Sequence, residues 1–204
     1  MIAIIDYGVG NLRSVEKAFR YIGSEASVSS DREFVSRAEA VVLPGVGAFA
    51  DAMGYLERAG MIDVVKKTIY ENRPFLGICL GMQLLFDYSE EGGKKYKGLG
   101  IFKGAIKRLP LDMNLKVPHM GWNSIKYNES CPLFKNLDKN PYVYFVHSYY
   151  LTAEDRRIVA ATARYGIDFD AAIWRGNVYA TQFHPEKSGE VGLTILKNFV
   201  ANIS

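Results

Sequence analysis

Cys79 stands between Gly77 and Gly81, two residues away on either side, in Phe75-Leu76-Gly77-Ile78-Cys79-Leu80-Gly81-Met82-Gln83. Phe75 to Ile78 read as a short buried strand and Leu80 to Phe86 as the start of a helix. A cysteine at such a strand-to-helix turn is held at the edge of a sheet, in the manner of a nucleophile elbow. The glycines fit because a Cβ beside so tight a turn would collide with neighbouring elements. The helix dipole favours thiolate over thiol, and the thiolate is the nucleophile. A cysteine nucleophile needs a base, usually histidine. His184 lies in Thr181-Gln182-Phe183-His184-Pro185-Glu186, directly after an apolar run. In an extended segment His184 and Glu186 project to the same side, so the carboxylate can orient the imidazole and stabilise its charged form. His119 and His147 lack a carboxylate so near in sequence. Either can be a structural histidine, and for His119 that reading stands level with a ligand or interface role.

The elements that must position these groups alternate. Ile2 to Ile5 are continuously apolar and β-branched, as in a buried parallel strand. Tyr7-Gly8-Val9-Gly10-Asn11 follows, then a helix with Leu12, Val15, Phe19 and Ile22 on one face and Gly23 as its stop. A dinucleotide fingerprint here would need its third glycine at Arg13, so no cofactor is expected. Ala26 to Ser29 and Ala40 to Leu43 read as further strands. The second ends in Pro44-Gly45-Val46-Gly47-Ala48-Phe49, a loop with little side-chain bulk whose N–H groups can approach a ligand. Helical patterns from Phe49 to Arg58 and through Ile62, Val65 and Ile69 precede the cysteine strand. This order predicts an α/β fold, an open, mostly parallel sheet flanked by helices, with ligands beyond the carboxyl ends of the strands.

Asp87 to Lys95 read as a solvated loop. Ile101-Lys107, Ser124-Tyr127, Tyr142-Tyr150, Ile158-Ala163, Ala171-Trp174 and Val178-Gln182 read as added antiparallel strands, with a hairpin turn at Arg175-Gly176-Asn177. A last helix carries Ile195, Leu196, Phe199, Val200 and Ile203. No linker divides the chain, so residues 1–204 are expected to form one domain.

The chain has 204 residues, 49% of them hydrophobic, enough for a sizeable core. Its formal charge of +3 gives no argument for nucleic acid or a membrane surface. Two cysteines, Cys79 and Cys131, suggest no disulfide framework, so a cytoplasmic location is expected. The N-terminus lacks the basic start of a signal peptide, and no apolar run nears the ~20 residues of a membrane span. The His, Cys and carboxylates show no ligand spacing, so no metal site is expected.

The segments around Cys79 and His184 together resemble the class I glutamine amidotransferases. Within that class, Asp6 to Leu12, Leu43 to Phe49, Pro118-His119-Met120-Gly121-Trp122-Asn123 and Tyr144-Phe145-Val146-His147-Ser148-Tyr149 are similar to the glutaminase subunits of imidazole glycerol phosphate synthase, of histidine biosynthesis. The resemblance runs from Met1 to the final helix and implies a flavodoxin-like fold. It implies that Cys79 attacks glutamine, His184 carries protons and Glu186 orients it. Backbone N–H groups of Val46, Gly47 and Leu80 would form the oxyanion hole. Gln83 and Glu91 would hold glutamine, as would the backbone of Ser148 and Tyr149. The ammonia would pass to a partner cyclase subunit, a (β/α)8 barrel, in a heterodimer, with Asn11, Trp122, Tyr144 and Lys187 at or near the interface. Glutaminase subunits of other synthases, a silent binding subunit and a hydrolase of γ-glutamyl compounds are the alternatives. The segments Pro118 to Asn123 and Tyr144 to Tyr149 weigh against the first, and the intact Cys79, His184 and Glu186 against the second.

Overall fold

The computed structural model describes residues 1–110 and 115–203. In chain order the elements are β1 (Ile2–Ile5), α1 (Leu12–Tyr21), β2 (Ala26–Ser29), α2 (Arg32–Arg37), β3 (Ala40–Gly45), α3 (Phe49–Arg58), α4 (Ile62–Tyr70), β4 (Phe75–Cys79) and α5 (Leu80–Gln83). Strands then dominate: β5 (Phe86–Ser89), β6 (Tyr96–Lys97), β7 (Phe102–Arg108), β8 (His119–Tyr127), β9 (Tyr142–His147), β10 (Tyr149–Ala153), β11 (Val159–Tyr165), β12 (Ile167–Arg175) and β13 (Val178–Thr181), with α6 (Gly189–Ala201) last.

The sheet order begins β2-β1-β3-β4-β13, and these five strands are parallel. β1, β3, β4 and β13 are buried throughout, because helices cover both faces and alternate residues on either side lose water. Val15 and Phe19 of α1 and Ile195, Leu196 and Phe199 of α6 pack on one face. Leu56 of α3 with Val64 and Val65 of α4 pack on the other. From β13 the sheet turns antiparallel, through the two-residue hairpin that pairs Arg175 with Val178, with Gly176 at φ 59°, and among the described residues only β5 and β7 of the later strands pair in parallel. The order continues β12-β10-β7-β5-β6, and β8 and β9 branch from it through β11.

The structure adds α2 and β6, which the sequence reading lacked, and starts β8 at His119 rather than Ser124, and three further differences lie near the cysteine strand and the cleft. The helix after Cys79 is a single turn, Leu80–Gln83, and Phe86–Ser89 is strand rather than helix and loop. β5 lies between β6 and β7, and Asp87 binds the Gly104 N–H and Lys103 there, which gives the polar residue a place in a strand. The run Tyr142 to Tyr150 breaks at Ser148 into β9 and β10, which join different neighbours. No helix among the described residues is long and apolar enough to cross a membrane.

Candidate active site

β4 runs between β3 and β13 and delivers Cys79 to its carboxyl end. Cys79 adopts φ 55° and ψ −111°, a conformation that costs a non-glycine residue about 1–3 kcal/mol. Its neighbours leave no room for side chains. A Cβ on Gly81 would lie 1.9 Å from the Leu43 carbonyl oxygen, and one on Gly77 would lie 3.0 Å from the Gly81 carbonyl. β3 and the turn thus press against each other, and the pair of glycines permits the contact. With α5 only one turn long, the dipole available to the thiol is that of a few peptide units. Leu80 opens that turn, so its N–H has no acceptor within the helix.

β13 is hydrogen-bonded to β4, which brings the segment after it beside Cys79. The His184 N–H donates to the Tyr144 carbonyl at 3.0 Å, and the His184 carbonyl accepts from Ser188 Oγ at 2.7 Å. These bonds fix the backbone under the imidazole. His184 Nδ1 lies 2.8 Å from Glu186 Oε1, and both side chains are buried. The pairing was expected from an extended segment. A 3-10 turn over Pro185–Lys187 makes it instead, with the same result. Nε2 of His184 has no hydrogen-bond partner among the described residues, so it is the nitrogen left for chemistry. Burial opposes a charge on His184, but the neighbouring Cys79 and then Glu186 outweigh it and raise its pKa to about 10.

Cys79 Sγ lies 3.6 Å from Gln182 Nε2 and 3.9 Å from the Val146 carbonyl oxygen. Gln182 was not singled out in the sequence, although it lies within the His184 segment. Gln83 is buried, not turned to solvent: its Nε2 donates to the Tyr149 carbonyl at 3.0 Å and to Gln182 Oε1 at 2.9 Å.

Val46, Gly47, Leu80, Gln83, Glu91, Ser148, Tyr149 and Lys187 join Cys79 and His184 around one cleft of about 480 Å³. Glu186 stands behind His184 and outside the lining. Glu91 Oε2 also accepts the Phe49 N–H at the start of α3, so one carboxylate oxygen already caps a helix. The Ser148 carbonyl accepts from the Leu109 N–H. Asn11 was expected near a partner. Its Nδ2 donates to Glu186 Oε1 at 3.3 Å, which ties the loop after β1 to the buried carboxylate. Trp122 and Tyr144 form an edge-to-face pair with centroids 6.1 Å apart, and Lys187 Nζ lies 5.9 Å from the Tyr144 ring. His119 is buried and stacks on Tyr165 at 4.0 Å, which fits the structural reading of that histidine. Cys131 is buried as well, and burial pushes its thiol up to about 11, which makes it inert. Among the described residues no group of three or more His, Cys, Asp or Glu could hold a metal ion.

A buried thiol, an imidazole with one free nitrogen and a carboxylate behind it can carry out acyl transfer by covalent catalysis. The model of the family "Glutamine amidotransferase class-I" matches residues 3–203. The imidazole glycerol phosphate synthase subunit HisH of Syntrophotalea carbinolica is 55% identical, with 98% of each chain covered. That of Geobacter sulfurreducens is 53% identical, with 97% of each covered. Among solved structures, PurLQS from Thermotoga maritima superposes with a TM-score of 0.77 over 100% of this chain and 98% of that one, at 19% identity, a likeness of fold. The matched span and these identities show that the chain belongs to the class I glutamine amidotransferase family and, within it, to the HisH subunits of imidazole glycerol phosphate synthase.

Proposed function

We propose that this chain hydrolyses glutamine to glutamate and ammonia through Cys79, His184 and Glu186. The Cys79 thiolate attacks the side-chain amide carbon of glutamine. Backbone N–H groups of Val46, Gly47 and Leu80 hold the oxyanion, and one such donor is worth about 10²–10³ in rate. His184 gives the Nε2 proton to the departing nitrogen, and ammonia leaves a glutamyl thioester on Sγ. Nε2 then takes a proton from water as its oxygen attacks the thioester. Glutamate departs and the thiolate returns. Glu186 keeps Nδ1–H turned toward itself, so that Nε2 does all the proton traffic. Gln83, Glu91 and the backbone of Ser148 and Tyr149 hold the substrate. For Ser148 this is the N–H side, since its carbonyl is engaged by Leu109.

The ammonia passes to a cyclase partner, a (β/α)8 barrel that makes imidazole glycerol phosphate and AICAR in histidine biosynthesis. The partner docks as a heterodimer over Asn11, Trp122, Tyr144 and Lys187, and residues 1–204 act as one domain in the cytoplasm. The observation that carries the reading is the buried 2.8 Å bond of His184 to Glu186 on the strand end beside Cys79. The test is glutamate release from glutamine by the chain alone and with the cyclase and its nucleotide ligand. A large rise with the ligated cyclase, abolished by Cys79→Ala, supports chemistry and partner together. Activity that survives Cys79→Ala sinks the mechanism, and no rise with the cyclase sinks the pathway.

A further inference from the structure

β8 and β9 place His119 opposite His147, and both are buried. His119 Nδ1 lies 3.0 Å from His147 Nε2. His147 Nδ1 lies 2.9 Å from the Tyr149 carbonyl oxygen. A carbonyl only accepts, so His147 carries its proton on Nδ1 and accepts at Nε2. The bond between the rings then requires His119 to donate from Nδ1. His119 Nε2 is left as an acceptor, met by Asn123 Nδ2 at 3.3 Å. An extra proton on either ring would set two donors face to face. Burial also disfavours that proton, with pKa values lowered to about 4 for His119 and about 3 for His147. Stacking on Phe145 and Tyr165 holds the His119 ring in place. At the other end of the chain of bonds, the Tyr149 carbonyl also accepts from Gln83 Nε2, and Gln83 in turn sets Gln182.

We propose that His147 and His119 are positioning residues of the glutaminase reaction, a neutral pair locked as Nδ1–H tautomers that helps pin the Tyr149 carbonyl and so sets Gln83 in the cleft and Gln182 on the Cys79 sulfur. The inference rests on Cys79 as nucleophile and on this cleft as the glutamine site. Without the His147 donor the Tyr149 carbonyl keeps only Gln83 as a side-chain partner, and the way the Gln83 amide faces is less firmly set. A reversed Gln83 would present oxygen to Gln182 Oε1. Gln182 would then reverse too and turn its own oxygen toward the thiolate.

Two measurements test this. The first is ¹⁵N NMR of the unaltered chain at neutral pH, where both rings are expected as neutral Nδ1–H tautomers. An Nε2–H or a protonated ring at either position overturns the proposal. The second is glutaminase kinetics in the complex with the partner subunit, with Cys79→Ala as control. His147→Ala is expected to lower kcat/KM about tenfold, through both kcat and KM, because the buried Tyr149 carbonyl loses one of its two donors and Gln182 no longer reliably meets the thiolate as a donor. His147→Asn places an amide N–H where Nδ1–H stood and is expected to recover most of the loss. Equal activity in the two variants overturns the positioning role. Activity retained by Cys79→Ala overturns the reading of the site beneath it. If His147→Ala does not fold, the tautomer spectrum still decides, and His119→Asn, which keeps a donor toward His147, repeats the kinetic comparison.

Discussion

Gln182 Nε2 lies 3.6 Å from Cys79 Sγ, and it meets the sulfur as a donor. The direction follows from a carbonyl two residues away along the network. The Tyr149 oxygen only accepts, so Gln83 must present Nε2 to it. The same Nε2 reaches Gln182, which must answer with Oε1 at 2.9 Å. That leaves the Gln182 Nε2 for the thiol. One short segment after β13 thus supplies both a hydrogen bond to sulfur and the candidate base, His184.

Gln182→Leu is therefore expected to slow the reaction of Cys79 with iodoacetamide at neutral pH by about tenfold, since a hydrogen bond to a charged group contributes about 1.5 kcal/mol or more. Gln182→Glu, which sets a carboxylate beside the thiolate, should slow it further. The rate of carbamidomethylation followed by mass spectrometry measures both. An unchanged rate in Gln182→Leu would show that the contact does not support the thiolate.

Two glycines separate crowding from backbone strain. Gly81→Ala drives a Cβ into the Leu43 carbonyl, which sits on a strand with no freedom to retreat. A loss of about 3 kcal/mol or more is expected, which for a chain this size lowers the melting temperature by roughly 6–12 °C. Gly47 has φ 96° and open space around its Cα. Gly47→Ala should cost about 1–2 kcal/mol through its backbone alone. Calorimetry that ranked the two substitutions equally would contradict the packing argument.

Much of the site was legible because close backbone approach leaves a mark in sequence. Gly77 and Gly81 flank Cys79, and the structure shows the carbonyls that forbid a Cβ at each. The strands of the parallel core were legible from their unbroken apolar character. What escaped was set by contacts between distant segments. Nothing local says that Asn11 reaches Glu186, 175 residues on, or that Gln182 reaches Cys79, 103 residues back. Phe86–Ser89 was misread because Asp87 looks like a loop residue until Gly104 and Lys103 are found beside it. Gln83 sits on a single helical turn walled in by β10 and β13, so its burial could not be read from helical periodicity.

The buried imidazoles carry a signature in acid. Both His119 and His147 have folded-state pKa values below the ordinary 6.5. As pH falls below 6.5 the unfolded chain takes up protons that the folded chain refuses, so stability is lost on the acid side and kept above it. Each ring contributes up to about 1.4 kcal/mol per pH unit. Between pH 6.5 and 5, above the ordinary carboxylate range, urea denaturation should show stability falling as acid is added. His184, whose folded pKa is raised, works the opposite way near pH 6.5, so His147→Asn, which has one of the two refusing rings fewer, should show half that slope or somewhat less. Parallel curves would mean that His147 accepts a proton in the folded state.

The docking surface proposed for the cyclase makes a prediction separable from chemistry. Trp122 is 55% exposed and Met120 62% exposed, on the outward row of β8. Trp122 pairs across the ladder with Tyr144 and Met120 with Val146, whose carbonyl faces Cys79 Sγ. A protein that covers Trp122 thus also covers the strand residues bordering the cleft, where the proposed function would have ammonia kept from water. Large aromatic side chains at the centre of an interface typically cost 2 kcal/mol or more on truncation. Trp122→Ala is expected to weaken binding of the cyclase by about 30-fold, measured by titration calorimetry. It should leave iodoacetamide trapping of Cys79 in the free chain unchanged, because the indole packs on the Tyr144 ring, whereas Tyr144 holds His184 through its backbone carbonyl, which the substitution leaves in place. Unchanged affinity would move the docking surface off this ribbon, and slowed trapping would mean that Trp122 acts on the site itself rather than on the partner.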